Sequence, residues 1–249
     1  MRKNLFRLSI FGLLMIALTA GQYALQKNGF YDVRSIEIQQ AEIEAGTERY
    51  FKSVSLGIYA QLKKFEGMSL FDVNLTEVHA ILSQQLWIEE FQVKRKWPNG
   101  LNIKVKTKQV LVNLAERNQR VSPISVRGEK LPAVEMKYAP DRVFFDRVKM
   151  YNDTELREKA LAVLKEIPRD GKFSHASISV LGFEKDSGFW AKLVDHDVKV
   201  QLGFDGISVK SKRVSQVINH LQNAGIDPRV IETDMNKKVL VKTRKTLSN

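Results

Sequence analysis

The stretch Val93-Lys94-Arg95-Lys96-Trp97-Pro98-Asn99-Gly100-Leu101-Asn102-Ile103-Lys104-Val105 holds two runs in which apolar and polar side chains alternate, parted by Pro98-Asn99-Gly100. Alternation marks strands with one buried face, and a Pro-Asn-Gly cluster between two such runs is turn chemistry. In this register Phe91, Val93, Arg95 and Trp97 oppose Gln92, Lys94 and Lys96, while Leu101, Ile103, Val105 and Thr107 oppose Asn102, Lys104, Lys106 and Lys108. The segment is expected to be a β-hairpin whose inner face needs a cover.

Upstream residues supply that cover. From Glu48 to Phe65 the residues Phe51, Val54, Ile58, Leu62 and Phe65 recur every three or four positions, an amphipathic helix stopped by Gly67. Asn74 opens a second helix, with Glu77 in capping-box position and Leu75, Val78, Leu82 and Leu86 along one face. Val33 to Gln39 alternates as a first strand after a turn over Asn28 to Asp32. The order from Val33 to Lys108 is thus strand, helix, helix, strand, strand, which is the order of a POTRA domain. Two helices on one face of a small sheet bury its apolar side.

Past Val110 the pattern changes to short strand-like runs at 110–114, 143–145, 176–181, 189–194, 198–202, 207–209, 230–233 and 239–243. Helices are expected at 154–167, stopped by Pro168, and at 211–223, stopped by Ala224-Gly225. The fold class is α+β, with a POTRA-like domain at 30–109 and a strand-rich β domain at 110–249.

The 249 residues are 43% hydrophobic and 27% charged, which excludes both a polytopic membrane protein and a disordered chain. Arg2, Lys3 and Arg7 precede an uncharged run from Leu8 to about Ala24, which reads as a signal or an anchor. Cleavage after Ala20 would put Leu18 at the third position before the cut, where a small residue is wanted, so an uncleaved transmembrane anchor at 8–26 is expected. The positive-inside rule then leaves residues 1–7 in the cytoplasm and the bulk outside. The net charge of +12 would suit nucleic acid, an anionic membrane or an acidic protein. An extracytoplasmic address, and the lack of any nucleic-acid-binding motif, argue against the first.

With no cysteine, thiol catalysis, disulfides and zinc–thiolate sites are excluded. No phosphate loop, dinucleotide fingerprint, nucleophile elbow or paired metal histidines occur, so no catalytic residue, cofactor, metal or small-molecule substrate is expected. His196 between Asp195 and Asp197 reads as a polar turn. Glu89 and Glu90, the carboxylates a hydrolase of cell-wall polymer would use, should point to opposite faces of a strand.

The hairpin quoted above resembles the V-x-R-x-W-P-x-x-L-x-I-x-V element of the FtsQ/DivIB family of bacterial division proteins. Gly67 to Asn74 and Leu86-Trp87-Ile88 look like the family's G-x-x-L-F-x-V-x and P-W-V elements. Ile124 to Leu131 and Val198 to Gly203 are similar to its L-V-D-x-x-G-x-x-F and V-x-L-G strands, and Ile226-Asp227-Pro228-Arg229 is similar to the I-D-L-R that opens its last hairpin. Departures are Leu86 for proline, Ser125 for aspartate, Leu131 for an aromatic residue, Thr107 for glutamate, Val110 for proline, and Pro228 within the last element. The resemblance implies a non-catalytic divisome scaffold in the bacterial inner membrane, mostly periplasmic and enriched at the septum. Its implied partners are the bitopic proteins FtsB and FtsL. A POTRA-bearing protein of a secretion or outer-membrane assembly system is the alternative.

Two surfaces are candidate sites. The last hairpin, 230–233 returning as 239–243 through Met235-Asn236-Lys237, ends in a strand with no successor, whose edge could accept a partner strand. Arg229, Val230, Glu232, Lys238, Val239, Leu240, Val241 and Lys242 are the expected contacts. The resemblance implies that FtsB adds at this strand and that Arg229 matches an arginine pairing with a partner carboxylate. The other reading is that Arg229, Lys237, Lys238, Lys242, Arg244 and Lys245 merely keep an exposed edge soluble. On the first hairpin, Lys94, Lys96 and Lys104 form either a second docking patch or a solvated strand face. Arg95, on the apolar side, is expected to pack across Trp97 or pair with a carboxylate.

Overall fold

The computed structural model describes residues 2–194, 197–235 and 238–243, and the side chains of 2–11, 234, 235 and 238 fall outside that description. The chain divides into two compact units, one of residues 1–43 and 54–107 and one of residues 44–53 and 108–249.

The first unit begins with helix α1, Arg2–Lys27, followed by β1 (Ser35–Gln40) and the helices α2 (Glu48–Leu62) and α3 (Leu75–Ser83). The hairpin of β2 (Ile88–Lys96) and β3 (Gly100–Thr107) completes it, with a cis peptide bond at Trp97-Pro98. The sheet order is β1-β3-β2, with β1 parallel to β3 and β3 antiparallel to β2, so the hairpin lends its second strand as the centre. Leu101, Ile103 and Val105 on β3 are buried beneath Ile58 and Leu62 of α2 and Val78 and Leu82 of α3, each essentially inaccessible to solvent. Alternation in the sheet and a three-to-four spacing in the helices thus meet in one core.

Several local expectations are corrected. The buried stripe of α2 starts at Tyr50 and not at Phe51, because the first turn of this helix belongs to the second unit, where burial pushes the Tyr50 phenol pKa up. Asn74 caps α3 by accepting from the Thr76 amide at 3.0 Å, while Glu77 is engaged by Lys64. Leu86 lies beyond the end of α3 in a turn and is exposed, and Trp87 takes the buried place. The expected carboxylate partner of Arg95 is replaced by backbone: its Nε and Nη2 donate to the carbonyls of Leu70 (2.9 Å) and Val73 (3.0 Å). One forked side chain thereby fixes the loop before α3 to the hairpin. Arg95→Leu is expected to cost about 2 kcal/mol, because two half-buried carbonyls lose a charged donor. Urea unfolding checks this, with Arg95→Lys recovering only part of the loss.

The run from Leu8 lies on one continuous helix, but among the described residues no helix is long and apolar enough to cross a membrane. The described side chains of α1 begin at Gly12 and include the polar Thr19, Gln22 and Gln26.

The second unit is built on a nine-stranded sheet ordered β12-β11-β10-β9-β8-β7-β4-β5-β6. In chain order the strands are β4 (Val110–Ala115), β5 (Arg120–Ser125), β6 (Val134–Glu135), β7 (Phe144–Phe145) and β8 (Ile178–Glu184). Then come β9 (Gly188–Leu193), β10 (Lys199–Gly203), β11 (Pro228–Met235) and β12 (Lys238–Thr243). The helices α4 (Lys149–Asn152), α5 (Thr154–Glu166) and α6 (Ile207–Asn223) add Met150, Leu161, Leu164, Val214, Ile218 and Leu221 to a core with Val112, Leu181 and Val200. The expected strand at 207–209 is the first turn of α6, where Ile207 and Ser211 begin a buried stripe continuing through Val214, Ile218 and Leu221. Alternation over three residues cannot be told from one turn of an amphipathic helix. Of β5 only the end, Ile124 and Ser125, falls in the stretch expected as a strand, because Ser122 and Pro123 interrupt the apolar pattern before it, and β6 is two residues long, too short to leave a pattern.

Residues 44–53 join this unit through Arg142, which forms an ion pair with Glu44 at 2.7 Å and donates to the Ala45 carbonyl at 3.0 Å. Past the end of α5, burial lowers the His175 pKa, opposed by hydrogen bonds to the backbone of Leu164 and Ile167 and reinforced by Arg142 and Arg169. The folded state therefore holds this imidazole neutral more firmly than the unfolded chain does. Stability should be level above the unfolded value of 6.5 and decline as the pH falls from there through the folded value. Thermal melts from pH 8 to 5 check the slope, which His175→Gln should flatten.

Candidate partner-binding site

The terminal hairpin is held from below and from one side. β11 runs parallel to β10 with Val200 opposite Ile231 and Gln201 opposite Glu232, and the buried Thr233 hydroxyl donates to the Gln201 carbonyl at 2.6 Å. α6 ends at Ala224-Gly225, with Gly225 at φ +66°, and the chain turns through Ile226 and Asp227 into β11. On β12, Val239 and Val241 pack against the core, while Leu240 faces outward and is 44% exposed. Pairing is antiparallel, Ile231 with Val241 and Glu232 with Leu240.

β12 lies at the end of the strand order, with β11 on one side and no described strand on the other. An antiparallel strand presents its N–H and C=O groups alternately to its two sides, so half of those of β12 face away from β11. The outward surface is polar around Leu240: Lys242 pairs with Glu232 at 2.6 Å, which cancels both charges. Arg229 is exposed and has no hydrogen-bond or ion-pair partner among the described residues. Asn236, Lys237, Arg244 and Lys245 lie outside the described residues, as does the side chain of Lys238. The structure thus brings Arg229, Val230, Glu232, Leu240 and Lys242 together on one hairpin, with Val239 and Val241 turned inward as its attachment.

A groove of about 380 Å³ opens at the foot of this hairpin, lined chiefly by Leu193, Val198, Ile218, Leu221, Ile226 and Pro228. Sequence reasoning missed it. The signal was Ile226, an apolar residue left in a loop between a helix stop and a strand start, and 42% exposed here.

The first hairpin carries Lys94, Lys96 and Lys104 on the outer face of its sheet, all exposed, with Lys94 opposite Asn102 and Lys104 opposite Gln92. Lys96 is paired with Glu37 of β1, so the patch is less charged than its sequence suggests. The second cleft, about 690 Å³, is lined by charges of both signs, including Arg147, Asp153, Lys159 and Glu184. Lys199 and Ser187 hold the Glu184 carboxyl below its usual pKa. Glu89 and Glu90 are both exposed, and the strand register shifts between Ile88 and Glu90. Among the described residues no group of three His, Asp or Glu is placed to hold a metal, and Asp195 and His196 lie outside them.

Comparison with known proteins agrees with this architecture. Residues 56–106, which hold the second half of α2, α3, β2 and all but the last residue of β3, match the family model described as POTRA domain, FtsQ-type. The chain is also similar to "Cell division protein FtsQ" of Geobacter sp. (strain M21), with 27% identity over 188 residues. That match covers 71% of this chain and 66% of the relative, slightly under two thirds of its length. A POTRA unit followed by a strand-rich sheet, and a likeness that extends well past the POTRA unit, lead to one conclusion: the chain carries an FtsQ-type POTRA domain and is a distant homologue of the cell division protein FtsQ.

Proposed function

We propose that this protein is a non-catalytic scaffold of the bacterial division machinery, and that it captures bitopic partners of the FtsB and FtsL type by adding a strand of the partner to β12. The edge position of β12 carries the reading. Backbone pairing would supply affinity, and Arg229, beside a self-neutralised Glu232–Lys242 pair, would favour an acidic partner segment. In this reading α1, with residues 8–26 as its lipid-facing part, anchors the chain in the inner membrane, residues 1–7 are cytoplasmic and the two units lie in the periplasm. The exposed Leu13, Leu14, Ile16 and Leu18 of α1 support that placement. Lys94 and Lys104 would serve as a second, weaker docking surface. The regions 30–109 and 110–249 would behave as separate domains, and limited proteolysis should cut between them near residues 108–115.

The deciding measurement is where a tagged full-length chain resides and what it retains. Enrichment at the division septum together with co-purification of FtsB- and FtsL-like proteins is expected. An even distribution around the envelope, with secretion or outer-membrane assembly components retained instead, would replace this reading by the alternative.

A further inference from the structure

The first unit carries a patch of aromatic side chains that its own core does not use. Phe30 stacks edge-on with Tyr31 (5.1 Å between ring centroids), Tyr31 with Phe71 (5.2 Å) and Trp97 (6.0 Å), and Phe71 with Trp97 (5.1 Å). Yet Phe30 is 44%, Phe71 47% and Trp97 57% exposed, and Met68 in the same loop is 39% exposed. Scattered exposed apolar residues are ordinary, but a contiguous aromatic group drawn from three separate segments marks a contact surface.

The mounting of the patch is rigid. The Val33 amide donates to the Met68 carbonyl at 2.9 Å, and the Leu70 amide to the Tyr31 carbonyl at 2.8 Å, which ties the loop bearing Phe71 to the segment bearing Tyr31. The Arg34 guanidinium donates to the Gly29 carbonyl at 3.1 Å and steadies the turn that presents Phe30. Arg95, through its bonds to Leu70 and Val73, fixes the same loop to the hairpin whose turn holds Trp97.

The position of the patch in the chain names its occupant. Phe30 follows the end of α1 at Lys27 by three residues, and its amide still bonds to the Leu25 carbonyl at 3.0 Å. A chain that leaves a bilayer at Lys27 holds Phe30 within roughly 10 Å of the boundary, since three residues reach no farther. Trp and Tyr favour that layer because each has an apolar ring and a hydrogen-bonding edge, and Lys27 and Arg34 supply cations at headgroup depth. We propose that Phe30, Tyr31, Phe71 and Trp97 seat in the interfacial layer of the lipid bilayer and hold the first unit against the membrane from which α1 emerges. This rests on the reading of α1 as an anchor.

The test uses the full-length chain in phosphatidylcholine–phosphatidylglycerol vesicles, with and without acyl chains brominated near the headgroup. Flotation reports the anchor, and quenching of tryptophan emission by bromine reports depth. Of the three tryptophans, Trp87 is buried in the core and Trp190 belongs to the second unit, so Trp97→Phe isolates the patch and keeps a ring to pack on Tyr31 and Phe71. Wild-type chain should float and be quenched, and Trp97→Phe should float and lose most of the quenching. The double variant Phe30→Ser, Phe71→Ser should float with Trp97 less quenched. Flotation with equal emission in both vesicle types would overturn the proposal while leaving the anchor intact, and would hand the patch to a protein partner. Failure to float would remove the anchor and this inference with it.

Discussion

Leu240→Pro should weaken capture of an FtsB–FtsL-like partner by at least about tenfold, which corresponds to about 1.4 kcal/mol. Proline removes a backbone donor from β12 and puts a ring where an approaching strand must lie flat. Because Leu240 is outward-facing and 44% exposed, the change leaves the core contacts of Val239 and Val241 in place. If its N–H faces the open edge, melting should be unchanged and only binding lost. If it faces β11, both should fall, and the measurement of melting beside affinity separates the two. Arg229→Glu supplies an independent probe, since it leaves the ladder intact and reverses a charge that has no partner among the described residues. It should reduce affinity at low salt and have less effect at high salt, the mark of a screened interaction. Normal affinity in both variants, with the fold preserved, would remove the β12 edge as the binding surface.

The elements that could be read from the sequence are those whose burial follows one period without interruption. β2, β3 and α3 announced themselves because each pairs a clean repeat with a local punctuation mark: Pro98-Asn99-Gly100 between the strands and Asn74 before the helix. The same reasoning located β11 and β12, whereas the place of β12 at the end of the strand order is set by tertiary pairing, which chain order does not decide. It failed where the deciding contact is distant in sequence. Arg95 was placed on the correct face, but its partners are the carbonyls of Leu70 and Val73, and a backbone carbonyl leaves no mark in an amino-acid pattern. Lys96 looked like one cation of a patch until β1, brought beside β3 in parallel register, placed Glu37 next to it. Likewise the first part of β5 was hidden because Ser122, which is buried, sits where an apolar residue would have spelled a strand.

Gly188→Ala should destabilise the second unit by about 3 kcal/mol, through left-handed backbone strain of about 1–2 kcal/mol and overpacking of about 1–3 kcal/mol. Gly188 opens β9 at φ +76°, and a Cβ there would lie 2.5 Å from the carbonyl carbon of Gly203 at the end of β10. The obstacle is backbone, so no side chain can swing aside, and β10 must shift. Gln201 bridges the same two strands by donating to the Phe189 carbonyl at 3.3 Å, and Thr233 then hangs β11 on the Gln201 carbonyl. A displacement of β10 is therefore passed to the hairpin that carries Arg229 and Leu240. Gly206 is the control: at φ +62° it shares the left-handed strain, but a Cβ there meets nothing within 4 Å. Gly206→Ala should cost only about 1 kcal/mol and leave partner affinity unchanged. Gly188→Ala should lower both the melting temperature and the affinity for the FtsB–FtsL-like partner. Equal melting of the two variants would mean that the close approach of β9 to β10 does not set the position of the terminal hairpin.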